Sequence, residues 1–306
     1  MGLLIGAGGW AYFRVKEMSS LEAYSRAFDF VEVNSTFYEK LGFQLVKSWR
    51  RRVPPNFEFS VRCHKDVTHR YKLEPITKVF NIFETMVNVC RILNSKFLVL
   101  VTPSTLNFSL KKIESIKALF DGLNLQGVRL VWEVRRRTGE ALSTRIISLM
   151  QDYKIIPCVD LSREDPVTDS DTVYSRIFGK GEHNLYQFTD EELLEVDRRI
   201  ISQERDEAVI SFHNVKMYKD AARYKIYKQR KRFPSVTGMT GHPSLKKVLA
   251  EDIHFPTTRQ ELLKAQGWKV MDLTNKKRVH AHVLLDGLPD KCFRSVEEVM
   301  MNLPNK

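Results

Sequence analysis

The sequence predicts an α/β fold, a (β/α)8 barrel of the TIM type followed by a small α+β C-terminal extension. Eight apolar runs of strand length alternate with segments of helical periodicity and are complete by about residue 230. Within several of these runs the polar residues share one parity, as expected when one face of each strand lines a barrel lumen. An open, doubly wound sheet is the alternative, but eight regular units favour a closed barrel.

The predicted strands are rich in Val, Ile, Leu and Phe and are bounded by polar or turn-forming residues. In chain order they are LLIGAG (3–8), FDFVEVN (28–34), FEFSVRC (57–63), KFLVLVT (96–102), VRLVWEV (128–134), KIIPCVDL (154–161), TVYSRIF (172–178) and EAVISFH (207–213). In a barrel of this type a helix is expected after each strand.

Helical spacing is clearest in FNIFETMVNVCRIL (80–93), where Phe83, Met86, Val87 and Cys90 recur on one face. The other predicted helices are SLEAYSRAF (20–28), FQLVKSWRRRV (43–53), SLKKIESIKALF (109–120), GEALSTRIISLMQDY (139–153), TDEELLEVDRRII (189–201) and MYKDAARYKIYKQRKR (217–232).

Composition argues against several classes of protein. The chain has 306 residues, of which 43% are hydrophobic, enough for a large core. Its four cysteines are far apart and lack C-x-x-C spacing, so neither a zinc ribbon nor a disulfide framework is supported. The start, MGLLIGAGGWAYF, lacks the basic region of a signal peptide, and no run approaches the roughly 18 apolar residues of a membrane span. We therefore expect a cytoplasmic protein with no membrane partner.

The charge balance favours an anionic partner. Lys and Arg number 49 against 37 Asp and Glu, which gives a net charge of +12. Such an excess attracts nucleic acid, acidic membrane surfaces or phosphorylated ligands. Nucleic acid is the partner we expect, whereas the choice between DNA and RNA and the oligomeric state stay open.

Parity assigns a direction to the polar residues of the strands. In FDFVEVN, Val31 and Val33 face the helices, which leaves Glu32 and Asn34 facing the lumen. The same rule turns the following side chains inward: Glu58, Ser60, Arg62, Glu133, Arg135, Arg176 and His213. Because a buried charge without a partner is costly, these groups pair with one another or bind a ligand.

Two interpretations of the inward charges remain. In the first, the inward charges form a ladder of salt bridges in the lumen that has only a structural role in the barrel. A ligand site is favoured because several polar residues lie late in their strands or just beyond them, at the end where barrel sites form. These residues are Asn34, Lys65, Glu133, Arg135, Asp160 and His213.

Five stretches of the chain resemble the family called domain of unknown function 72, the YecE-like proteins. They are GAGGW (6–10), FDFVEVNSTFY (28–38), PPNFEFSVRCHKDVTH (54–69), VWEVR (131–135) and SFHN (211–214). The resemblance covers roughly residues 1–225 and implies a TIM-type barrel similar to those of endonuclease IV and xylose isomerase relatives. This chain departs from the family pattern at His213, where members carry Asn, and at His64, where they carry Pro.

The residue types at the barrel mouth indicate anion recognition combined with acid/base chemistry. The predicted catalytic residues are Glu32, Glu133, Asp160 and His213, and the predicted substrate-binding residues are Trp10, Asn34, Tyr38, Lys65, His69, Arg135, Arg176 and Asn214. His213 is either a proton shuttle or a core histidine bonded to a carbonyl. The aromatic residues either stack on a base or sugar or cap the mouth hydrophobically.

Metal chemistry is only weakly indicated by this set of residues. The fixed cations Lys65, Arg135 and Arg176 compete with metal for the same carboxylates, which disfavours a trinuclear zinc centre. A single divalent ion remains open as a cofactor, with no ligand set assigned.

The last barrel helix carries a basic run interleaved with tyrosines. Cations that follow a phosphate backbone and aromatic rings that stack on bases are typical of nucleic-acid binding. The predicted nucleic-acid-binding residues are Arg223, Tyr224, Lys225, Tyr227, Lys228, Arg230, Lys231 and Arg232. The alternative is a solvated helix end, where Lys and Arg favour the helix dipole.

The sequence divides into a barrel at 1–232, a turn-rich linker at 233–242 and a small basic α+β domain at 243–306. The last segment predicts the order helix, helix, strand, strand, helix, with VHAHVLLDG (279–287) as the second strand. His280 and His282 would then share one face of that strand.

Three functions fit these observations. The leading one is a nucleic-acid-binding TIM barrel that acts on a phosphodiester or base at its C-terminal mouth, by analogy with endonuclease IV. The second is a small-molecule enzyme that acts on a sugar or sugar phosphate through carboxylate acid/base chemistry. The third is a non-catalytic adaptor.

Overall fold

Eight parallel strands close into a barrel in their order along the chain, so the predicted (β/α)8 fold is confirmed. The computed structural model describes residues 2–137 and 140–304. The strands are β1 Gly2–Ala7, β2 Phe30–Val33, β3 Glu58–Arg62, β4 Phe97–Thr102, β5 Arg129–Val134, β6 Ile156–Val159, β7 Thr172–Ile177 and β8 Glu207–Phe212. Pairing of β1 with β8, from Gly2 with Glu207 to Ala7 with Phe212, completes the ring.

Helices follow most strands near the predicted bounds, and α4 begins three residues before its predicted start at Phe80. They are α1 Ser20–Ala27, α2 Ser35–Tyr38, α3 Phe43–Arg51, α4 Thr77–Leu93, α5 Leu110–Asp121, α6 Thr144–Asp152, α7 Asp190–Ser202 and α8 Met217–Arg230. α6 begins later than predicted, and Gly139, the predicted start, lies outside the described residues. α2 and a π-helical turn at Asp66–Arg70 are too short to show a period in the sequence.

The expectation of a helix after every strand is wrong after β6. Residues 160–171, which connect β6 to β7, form turns and bends without a helix. This segment, DLSREDPVTDSD, is polar, contains Pro166 and has no apolar stripe that could hold a helix against the sheet.

The described residues form two compact units. The first comprises 2–177 and 199–213 and contains all eight strands; the second comprises 178–198 and 214–304. No helix within the described residues is long and apolar enough to cross a membrane.

The barrel lumen has an apolar layer made by inward residues of the strands. Its buried members include Phe30, Phe97, Val131, Tyr174 and Val209. Trp132, of opposite parity to Val131, packs edge-to-face against Phe108 and Phe120. The alternation inferred from the sequence is therefore confirmed, and Glu32, Glu133 and Arg176 lie one layer above the apolar residues of their own strands.

The second unit has its own apolar core at its C-terminal end, with Leu245, Leu262, Leu285 and Phe293 among its buried members. The elements there are α9 His242–Leu249, β9 Thr257–Thr258, α10 Arg259–Gln266, β10 Val270–Asp272, β11 Arg278–His280, α11 His282–Leu285, β12 Cys292–Phe293 and α12 Val296–Met301.

The predicted second strand of this segment is too long, because β11 ends at His280 and α11 begins at His282. His280 and His282 therefore do not share a strand face. Each has its own partner: His280 Nε2 lies 2.8 Å from the carbonyl oxygen of Gln187, and His282 Nδ1 lies 3.2 Å from Asp286 Oδ2.

The predicted linker contains no helix or strand before His242, but it is anchored. The carboxylate of Asp272 accepts hydrogen bonds from Ser235 Oγ at 2.8 Å and from the backbone N–H of Thr237 at 2.8 Å. Arg278 Nε also donates to Asp272. The domain boundaries proposed at residues 232 and 243 stay predictions.

Tyr24 on α1 fastens β1 to β2, whose pairing includes only two residues of each strand. Its hydroxyl accepts from the N–H of Ala7 at 2.7 Å and donates to the carbonyl of Phe30 at 2.8 Å. We expect Tyr24→Phe to lower the free energy of unfolding by about 1–3 kcal/mol, since two buried backbone groups lose their partner. Urea denaturation tests this, with Tyr12→Phe, at a tyrosine that is 80% exposed, as the control. Equal losses in the two variants would contradict it.

Candidate active site at the barrel mouth

Arg176, near the end of β7, is the centre of a buried ionic cluster. Its side chain is 2% exposed, and its Nε lies 3.2 Å from Glu32 Oε1 on β2. Its Nη1 contacts Glu133 Oε2 on β5. One guanidinium thus joins strands from three parts of the barrel, and both predicted catalytic glutamates are its partners.

The cluster keeps both carboxylates ionised. Burial alone would raise the pKa of Glu32, but Arg176 and His213 outweigh it and hold the pKa well below its usual range. Burial likewise opposes ionisation of Glu133, yet Arg176 and Arg135 lower its pKa to about 2. Burial would lower the pKa of Arg176, and the two glutamates raise it instead.

Tyr174 orients Glu32 from below. Its hydroxyl donates to Glu32 Oε2 at 3.1 Å and lies 2.7 Å from Ser60 Oγ. The parity of β7 turns Tyr174 to the same side as Arg176, but a tyrosine inside a strand gave no reason to expect a role at the site.

His213, directly after β8, lies against the cluster. Its Nε2 is 3.2 Å from Arg176 Nε, 3.0 Å from Ser211 Oγ and 3.6 Å from Glu32 Oε1. Burial and the charge of Arg176 outweigh Glu32 and lower the pKa of His213, so that the imidazole is neutral at pH 7.

Gly8, in the stretch GAGGW, permits the chain after β1 to approach this histidine closely. A Cβ on Gly8 would lie 2.3 Å from His213 Nδ1 and 2.8 Å from Asn34 Nδ2. Asn34 Nδ2 donates to the Gly8 carbonyl at 2.7 Å. Asn34 therefore holds the chain segment beside the cluster, whereas the sequence suggested that it binds substrate.

Arg62, the last residue of β3, was predicted to face the lumen but was not among the predicted site residues. Its guanidinium carbon lies 3.7 Å from the centre of the Phe37 ring, and its Nη1 donates to Asn34 Oδ1 at 3.3 Å. Burial and the like charge of Arg176 lower its pKa to about 10, so it remains a cation at pH 7.

His69, Lys65 and Arg135 belong to the same side of the mouth as Arg62. Burial lowers the pKa of His69, and the charges of Arg62, Arg135 and Lys65 lower it further. The His69 ring also packs edge-to-face on Phe37. Arg135 is half-exposed and donates from Nε to Glu133 at 2.8 Å.

Three predicted site residues have local partners elsewhere in the first unit. Asp160 Oδ1 accepts from the N–H and the hydroxyl of Ser162, which builds the turn after β6. Trp10 packs edge-to-face on Trp49 at 5.0 Å, outside the lumen. Tyr38 is 59% exposed, with Lys65 Nζ 5.9 Å from the centre of its ring. The Tyr38 ring is also in edge-to-face contact with Phe37.

Asn214 lies in the second unit, within a buried network. Its Nδ2 donates to the carbonyl of Tyr186 at 2.8 Å and to Asp220 Oδ2 at 2.7 Å. It therefore braces the start of α8, whereas the sequence suggested a substrate contact.

Several residues of the basic run on α8 bind carboxylates inside the second unit. Arg223 is buried and paired with Asp190 at 2.6 Å and with Asp220 at 3.0 Å. The hydroxyl of Tyr224 donates to Asp197, to which Lys228 also binds. The interpretation of the whole run as a nucleic-acid surface is wrong for these three residues, because their polar groups already bind carboxylates.

The rest of the run is more accessible. Tyr227 stacks on Phe233 at 4.5 Å with an interplanar angle of 11°, and Lys225 is partly buried. Arg230, Lys231 and Arg232 are exposed. For these three cations the role in nucleic-acid binding stays a prediction.

The donor set at the mouth does not fit a divalent metal ion. Among residues 2–137 and 140–304, no three His, Cys, Asp or Glu side chains converge in a group that could hold a metal. Glu32 and Glu133, the two carboxylates of the cluster, are bound to a guanidinium that would repel a cation.

The closed barrel and its ionic mouth define a TIM-barrel protein with a polar site at the carboxyl ends of the strands. The chain belongs to the DUF72 family: residues 4–234 match the family described as "Protein of unknown function DUF72". The predicted family membership is thus confirmed. A comparison with curated proteins finds no match.

Two solved DUF72 structures show the same fold. The chain is similar to a DUF72 family protein from Thermotoga maritima, with 19% identity and a TM-score of 0.61 over 75% of this chain and 100% of that one. It is also similar to a DUF72 family protein from Enterococcus faecalis, with 14% identity and a TM-score of 0.59 over 75% of this chain and 98% of that one.

The low pKa of Glu133 makes a test of the cluster possible. The unfolded state binds a proton at this carboxyl near pH 4.5, whereas the folded state does so only near pH 2. The stability from Glu133 is therefore present above about pH 4.5 and is lost as the pH falls through 2. We expect the difference in unfolding free energy between wild type and Glu133→Gln to narrow over that range. Denaturant titrations from pH 7 to pH 2 measure it, and a constant difference would contradict the assignment.

Proposed function

We propose that this protein is an enzyme that binds a small sugar-like molecule or sugar phosphate at the barrel mouth and moves a proton with His213. The observation that carries the proposal is the position of His213, a buried histidine directly after β8 whose Nε2 lies 3.2 Å from Arg176 Nε, at the end where barrel active sites form. A neutral imidazole can accept a proton at the ring nitrogen that carries no hydrogen, and its conjugate acid can return it. In His213 this nitrogen is Nε2, which accepts the N–H of Arg176 Nε at 3.2 Å.

Glu32 and Glu133 act differently in this proposal from the acid/base role that the sequence suggested. A carboxylate whose pKa is lowered is a weak base, and it is not protonated at neutral pH to serve as an acid. Their ion pairs with Arg176 instead fix that guanidinium against His213. The two glutamates are positioning residues, and His213 is the proposed catalytic residue.

The test is proton exchange in D2O. A panel of sugars, sugar phosphates and hydroxycarbonyl compounds is incubated with the protein, and loss of carbon-bound proton signals is followed by 1H NMR. We expect exchange with at least one compound, and a loss of about 100-fold or more in His213→Gln, in line with the usual contribution of a general base. The control is His254→Gln, at an exposed histidine. Unchanged exchange in His213→Gln would exclude the assigned base.

The pH dependence of that exchange provides an independent check. Only the neutral imidazole accepts a proton, and the lowered pKa of His213 keeps it neutral further into acid than an ordinary histidine. We expect the rate to be level through neutral pH and to fall only below the usual titration range of histidine. A rate that falls between pH 8 and pH 7 would point to another group.

Nucleic-acid binding is the second candidate, favoured by the three exposed cations Arg230, Lys231 and Arg232 and by the net charge of +12. Fluorescence anisotropy with labelled single-stranded DNA, duplex DNA and RNA tests it across a salt series. We expect steep weakening with salt, and a shallower slope when these three residues are replaced by Glu. The matched control reverses Lys47, Arg51 and Arg52, which are also exposed. Equal slopes in the two triple variants would exclude this surface.

A further inference from the structure

We propose that a phosphate group of the small-molecule ligand binds at the mouth between Arg62, Lys65, His69 and Arg135. This inference rests on the proposed function, since it names the chemical class of ligand for the same site. The four residues come from the end of β3 and the turn after it, and from the residue that follows β5.

Arg62 is a buried cation with no carboxylate partner. Its exposed fraction is 6%, and no ion pair joins it to an acid within residues 2–137 and 140–304. Its Nε has no hydrogen-bond partner among those residues. By contrast, the buried arginines Arg176, Arg223 and Arg278 each bind two carboxylates. Because burying a charge without a partner is costly, an anion from outside the chain is the missing partner of Arg62.

The guanidinium of Arg62 is already oriented for such a ligand. One face lies on the Phe37 ring, and Nη1 donates to Asn34, which is itself bonded to the carbonyl of Gly8. Thr36 Oγ1 donates to the backbone carbonyl of Arg62 at 2.6 Å. A planar, fixed guanidinium matches the oxygens of phosphate in a forked, two-bond geometry.

The surroundings of Arg62 favour a dianion. His69 and Arg62 both lie against the Phe37 ring, and Arg135 and Lys65 are near enough to add to the effect of burial and Arg62 in lowering the pKa of His69. Glu133, the acid nearest Arg135, is bound to Arg176 as well. Glu32 is engaged by Arg176 and Tyr174. Asp66, on the same turn as His69, lies 3.9 Å from Arg70. With the three acids each near an arginine, Arg62, Lys65 and Arg135 leave positive charge in excess on this side of the mouth, as a phosphate monoester requires.

Isothermal titration calorimetry with inorganic phosphate tests the proposal, at pH 7.5 and at ionic strength held constant with chloride. We expect binding to the full-length protein that is weakened at least tenfold in Arg62→Met. Arg91→Met removes the same charge from an exposed position on α4 and should retain the wild-type affinity. Acetate is the second probe, and acetate binding as tight as that of phosphate would overturn the assignment to phosphate.

Thermal denaturation separates a ligand role of Arg62 from a structural one. Met fills similar space without a charge, and no ion pair among the described residues is broken, so Arg62→Met should change the melting temperature much less than Arg176→Met. Arg176→Met should lower it, because Glu32 and Glu133 would stay buried without their cation. A lower melting temperature in Arg62→Met together with unchanged phosphate affinity would overturn the proposal.

The two proposals can fail separately. Phosphate binding that depends on Arg62 and persists in His213→Gln supports the phosphate site even if no compound exchanges protons. Proton exchange confined to uncharged compounds, with no phosphate binding, would support the proposed catalytic role of His213 and overturn the phosphate site.

Discussion

The barrel mouth depends on one interaction, the enclosure of the Arg176 guanidinium between Glu32 and Glu133. A buried charge is tolerated only when its neighbours compensate for lost hydration, and here each ion does so for the others. The ion pairs thereby connect β2, β5 and β7 across the lumen. The same charge acts on its neighbours: Arg176 opposes the effect of burial and keeps both carboxylates ionised, and it adds to the effect of burial in lowering the pKa of His213 and of Arg62.

This arrangement divides the polar residues of the lumen into two groups. Glu32, Glu133 and Arg176 are held together by two ion pairs, and Tyr174 also binds Glu32. His213 lies against these three residues as a neutral imidazole, and Arg62 is a cation with no carboxylate bound to it among residues 2–137 and 140–304. Carboxylates at the end of a barrel strand suggest catalysis, but once they bind a buried arginine their main effect is electrostatic.

The second unit shows why net charge is a poor guide to a binding surface. Its basic helix supplies Arg223 and Lys228 to Asp190, Asp220 and Asp197, so much of the positive charge that a composition count records is neutralised within the fold. Three cations at the end of that helix remain exposed. The DUF72 match ends at residue 234, just after them.

The sequence alone determined the order of the strands, their bounds and the face on which each polar residue lies, because a strand alternates its side chains regardless of what it packs against. It could not determine partners. Arg62 and Arg176 have the same parity in their strands, yet only Arg176 meets two carboxylates, from residues 144 and 43 positions away. Arg223 and Tyr224 looked like surface residues because Asp190 and Asp197 lie on another helix. Which charges are satisfied and which remain for a ligand is decided by contacts between distant segments, and these exist only in the folded chain.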